Sequence, residues 1–63
     1  MIYLLEVKLI GTGWLPKRIL DEGDIHQALD NLIIDRKFQD WRVRKIERED
    51  ISEINAQILM KWS

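Results

Sequence analysis

His26 is the only histidine, so it is the first residue to weigh for acid–base chemistry near neutral pH. Asp24 and Asp30 lie close to it in the chain. A triad also needs a nucleophile held against the base, and no Ser, Cys or Thr is spaced for that work. Position 26 falls on the first turn of an expected helix, where a solvent-facing histidine is ordinary. Gly11-Thr12-Gly13 could cradle a phosphate, but a dinucleotide fingerprint needs a third glycine where Pro16 stands, and no Gly-Lys-Ser/Thr follows. Asp21, Glu22 and Asp24 lack the alternating ligand spacing of a calcium loop. With no cysteine, disulfides and thiolate metal sites are excluded, and one histidine cannot build a structural zinc site. The expectation is a chain with no catalytic residues, no cofactor and no metal, hence not an enzyme.

The remaining feature able to contact something is basic. Arg42, Arg44, Lys45 and Arg48 cluster beside Trp41 in the stretch WRVRKIER. Period-two geometry sends Trp41 and Val43 to one face of a strand and Arg42, Arg44 and Ile46 to the other. A salt-bridged sheet face is the simplest account. A protein-contact surface comes next, because arginine and tryptophan are typical interface anchors. Nucleic acid comes third: Lys plus Arg (10) against Asp plus Glu (11) leaves a net charge of −1, without the basic excess of a dedicated binder.

Three elements must position these residues. Tyr3, Leu5, Val7 and Leu9 alternate with Ile2, Leu4, Glu6 and Lys8, which predicts a strand. Gly11 and Gly13 supply positive φ for a hairpin turn, and Trp14–Leu20 returns as a second strand. Pro16 cannot donate to a ladder, so that strand belongs at a sheet edge. Ile25, Ala28, Leu29, Leu32 and Ile33 form an amphipathic helical stripe, with Asp24 and Gln27 as a capping box and Ile34 on the outer side. Residues 39–47 form the third strand. Short connections give a sheet order of 2-1-3, antiparallel throughout, with Glu6 and Lys8 facing Arg42 and Arg44 across strands. Ile51, Ile54, Ile58 and Trp62 then predict a C-terminal helix, although Ile54, Ala56, Ile58, Met60 and Trp62 also alternate as a fourth strand would. The fold class is α+β, in a single domain over residues 1–63.

At 63 residues such a domain buries only roughly 60% of its unfolded surface and has a thin core. Small domains are usually stapled by disulfides, a metal or a partner. Without the first two, the 46% apolar content and three tryptophans point to association with another protein or with itself, as a homodimer or larger homo-oligomer. There is little core volume for three indoles, so Trp14 or Trp62 should reach the surface. Residues 1–11 carry Glu6 and Lys8 and are too short to span a bilayer, so no membrane association and a cytoplasmic location are expected.

From Leu15 onward the layout resembles that of the very small phage proteins that bind and disable a host enzyme, such as the bacteriophage T7 inhibitor of bacterial RNA polymerase. The shared pattern is a hairpin, an acidic helix start, the pair Ala28-Leu29 and a final strand with Arg42 and Arg44 facing out. The resemblance covers about half of the chain, and Glu49–Ser63 has no counterpart in it. It implies that Arg42 and Arg44 contact the partner. The resulting expectation is a small non-enzymatic protein–protein interaction module, an inhibitor of the phage or mobile-element kind. Its protein-binding residues would be Arg42, Arg44, Trp14, Ile34 and Trp62. The alternative is a nucleic-acid or nucleotide-phosphate binder using Arg42, Arg44, Lys45 and Arg48.

Overall fold

A computed structural model describes residues 1–35 and 38–62, with the side chains of 33–35 outside the description. It shows an α+β fold. Strands β1 (Ile2–Lys8) and β2 (Trp14–Asp21) form a hairpin, helix α1 (Ile25–Asp35) follows, then β3 (Asp40–Ile46) and helix α2 (Ile51–Trp62). The three strands make one antiparallel sheet in the order β2-β1-β3, so the proline-bearing strand does lie at an edge.

The hairpin turn closes through Thr12 N–H donated to Leu9 O at 3.1 Å, and the Thr12 hydroxyl also donates to Leu9 O at 3.0 Å. Gly11 sits at the third position of this turn with φ 83°, a conformation that β-carbons disfavour. Gly13 does not share it, so the turn needs one positive φ rather than the two expected. On β2 the register slips between Leu5 and Glu6: Leu5 faces Arg18, Glu6 faces Pro16, and Lys17 is the extra residue of a bulge.

Apolar side chains are buried on both faces of the sheet. On one, Leu5, Val7 and Leu20 pack with Ala28 and Leu32 of α1, joined by Ile25, Leu29, Phe38, Val43 and Trp62. These include the helical stripe anticipated from residues 25–32. Leu4 and Ile46 point to the other face and are buried as well. The apolar surface left to cover them is the half-buried stripe Ile51, Ile54 and Ile58 of α2. That face was expected to be polar; it is polar only toward the hairpin end, around Glu6. The C-terminal segment is the helix, because its half-buried residues fall at 51, 54, 58 and 62 and every residue between them is exposed.

α1 begins directly after Asp24, but Asp24 is not its cap. A 3-10 turn, Glu22–Asp24, precedes α1 with extended Asp21 at its cap, and another, Arg48–Asp50, precedes α2 with Glu47 in that place. Neither cap side chain bonds the backbone. Helical turns therefore start ahead of both α-helices, and backbone carbonyls meet N–H groups there: Asp50 N–H donates to Glu47 O at 3.0 Å, and Ile51 N–H donates to Arg48 O.

α2 runs along β2, and its last residue closes the structure. Trp62 donates its indole N–H to Pro16 O at 2.6 Å and meets Phe38 edge-on at 6.1 Å between centroids. The ammonium of Lys17, the bulge residue, lies 4.0 Å over the Trp62 ring.

Because Leu5 is 2% exposed and Leu59 67% exposed, truncation separates their roles. Leu5→Ala should lower unfolding free energy by about 3 kcal/mol, and Leu59→Ala should change it by no more than about 0.5 kcal/mol. Urea melts of the two variants provide the check.

Candidate functional site

Glu6 is the one charged residue in the buried run Leu4–Val7 of the central strand, and it is 6% exposed. A carboxylate so placed must be met by donors or a counter-charge. Its direct cross-strand partner on β3 is Arg42, and Arg44 is the diagonal neighbour two residues on. Both donate through Nε to the same Glu6 oxygen, each at 2.9 Å. One carboxylate therefore orients two guanidinium groups, and the cluster keeps a net positive charge. The arginine side chains are 47% and 53% exposed, so the ends beyond Nε reach solvent.

Trp14, on the same face but on the far strand β2, completes the cluster. The Arg42 guanidinium carbon lies 4.3 Å from the centre of the Trp14 ring. Arg42 thus starts on β3, bonds Glu6 on β1 and stacks on β2, spanning all three strands. Stacking on an aromatic face fixes the plane of a guanidinium, which a lysine could not match. The arrangement presents two cations anchored on one carboxylate, Arg42 also lying over a half-buried indole. It suits binding of a carboxylate or other planar anion and supplies no nucleophile or base.

The other candidate residues are divided by the fold. Lys45 lies on the opposite face from Arg42 and Arg44, since it pairs with Tyr3 in the Tyr3–Leu5–Val7 row. Arg48 is beyond the strand, in the turn leading to α2. The four basic residues therefore form no single strip that a phosphate backbone could follow. Trp62 was expected as a surface anchor; it is instead half-buried and engaged by Pro16, Phe38 and Lys17, because α2 folds back onto the β2 edge. The side chain of Ile34 lies outside the described residues. His26 is exposed on the first turn of α1.

Trp41 is the residue whose exposure periodicity did not give. It does share the α1 face with Val43, but it is 42% exposed. β3 is an edge strand and Trp41 is its second residue, so one flank of the indole has no neighbouring strand. The sheet order, already implied by Pro16, was the available signal.

Among the described residues no group of three or more His, Asp or Glu side chains could hold a metal ion, and no helix is long and apolar enough to cross a membrane. Comparison of the chain with known protein families, curated proteins and solved structures finds no match in any of the three.

The pairing has an asymmetric energetic consequence. Removing both arginines strands a buried carboxylate, whereas removing the carboxylate leaves two cations that water can serve. Arg42→Ala with Arg44→Ala should cost about 3 kcal/mol, already discounted for the solvent screening of the arginines. Adding Glu6→Gln to that pair should restore about 1–2 kcal/mol, measured by urea denaturation. Equal stability of the double and triple variants would mean that Glu6 needs no counter-charge.

Proposed function

We propose that this chain is a small protein-binding module that acts by occluding a surface of its target, with no chemistry of its own. The observation that carries the reading is the pair Arg42 and Arg44, both bonded to one Glu6 oxygen and Arg42 also lying over Trp14, with their side chains about half-exposed. Side chains ordered before contact lose less entropy on binding. An arginine pair next to an aromatic ring is the composition of an interface hot spot, and it calls for an acidic patch on the partner. Trp41, exposed on the other side of the same strand, adds apolar contact area.

This reading agrees with the layout shared with small phage inhibitors, in which the strand arginines face the target. A role as an inhibitor encoded by a phage or mobile element, working in the cytosol of its host, follows from the same reading. The lack of cysteine suits a reducing compartment.

The binding test needs a variant that keeps Glu6 satisfied, since a glutamate at 42 or 44 would face its carboxylate. Arg42→Gln with Arg44→Gln retains an amide donor at each position while removing the charge. A tagged chain should capture one host protein from lysate whether or not nuclease is added, and the double variant should lose that capture while melting within a few degrees of the parent. Capture that disappears with nuclease would transfer the site to nucleic acid, whose binding falls steeply with salt.

A further inference from the structure

We propose that the outer edge of β3 receives an extended acidic segment of the partner protein as a fourth strand of the sheet. This rests on the reading of the chain as a protein-binding module and names the form of what it binds. The two sheet edges are unequal. On β2, Pro16 withholds a donor, Lys17 bulges out, and α2 lies alongside with the Trp62 indole bonded to Pro16 O. These are the devices by which proteins close an edge. β3 pairs with β1 over all seven residues without a register shift, and among the described residues β1 is its only strand neighbour.

The backbone of β3 shows which groups face outward. Trp41 N–H is donated to the side chain of Asp40 at 2.8 Å, so it is directed away from β1. In an antiparallel ladder the direction alternates, which places the N–H groups of Val43 and Lys45 on the same open side. Asp40 Oδ1 holds the position that an incoming carbonyl would take.

Charge selects the occupant. β3 carries Arg42, Arg44 and Lys45 against Asp40, a net of +2. A second copy pairing along this edge would bring the same charge against itself, which disfavours it. An acidic strand is favoured. Its acidic side chains belong on the face of Arg42 and Arg44, and its apolar ones on the face of Trp41 and Val43. The segment recognised therefore alternates acidic and apolar residues. Strand addition obtains affinity from main-chain hydrogen bonds and specificity from alternate side chains.

The test titrates the full-length isotopically labelled chain with a short synthetic peptide alternating Glu or Asp with Val or Thr. One control has the same composition in block order. Two others are N-methylated on alternate backbone nitrogens, in complementary sets. Strand addition predicts that the alternating peptide slows amide exchange at Val43 and Lys45. It also predicts that one methylated set, and not the other, loses affinity about tenfold or more. Equal binding of the block-order peptide, indifference to both methylated sets, protection elsewhere or no binding would each overturn it. So would protection of these amides by rising concentration of the chain alone, which would assign the edge to a second copy. If Arg42→Gln with Arg44→Gln weakens binding while methylation has no effect, the module reading stands and strand addition falls. If the alternating peptide binds and neither change matters, both fall.

Discussion

The constraint on which the rest depends is that β1 is buried on both faces. Four consecutive residues, Leu4, Leu5, Glu6 and Val7, are each no more than 6% exposed. A three-stranded sheet cannot achieve that alone, so one helix is needed on each side. That requirement explains why α2 exists as a packing element as well as α1. It also explains the arginines. A carboxylate in the middle of the buried strand must be compensated from an adjacent strand, and the positions that can reach it are 42 and 44. The surface feature with the best claim to function is thus attached to an internal electrostatic need.

Coupling between site and core sets the character of the site. Surface arginines usually hold no single orientation, and their ion pairs contribute little. Here the acceptor is almost fully buried and the Trp14 ring limits Arg42 from above. The cost of ordering these side chains is met during folding, before any partner arrives. A buried ion pair is weak evidence for stability in itself, and its better-attested role is to specify one arrangement over others. In this sheet it fixes the register of β3 against β1, because a slip of one residue would carry both arginines to the α1 face.

Local pattern made much of this legible. Alternation along β1, the edge assigned through Pro16, the stripe at 25, 28, 29 and 32, and the stripe at 51, 54, 58 and 62 all read directly from residue spacing. The cross-strand meeting of Glu6 with Arg42 and Arg44 followed from the strand order. What spacing did not reveal depends on long-range contact. Leu4 and Ile46 shared a face with charged residues, and their burial became visible only once α2 was placed. The stripe puts Trp62 on the inward side of α2, but its particular partners, Pro16 and Lys17, are far away in sequence and could not be read from it. The start of α1 was legible but its cap was not: a 3-10 turn and a side-chain cap both answer the open N–H groups of a helix start, and composition alone does not choose between them.

The bond from Trp62 to Pro16 joins residues 46 positions apart, most of the chain's length. During synthesis Pro16 is added well before Trp62 exists. Translation at ~5–20 residues per second leaves an interval of about 2–9 s between Pro16 and Trp62. Throughout that interval the β2 edge lacks its helical cover, and Pro16 and the Lys17 bulge are its only guards. A strand edge that must wait for its cover benefits from a built-in misfit, and the proline and bulge provide one while the nascent chain is still on the ribosome.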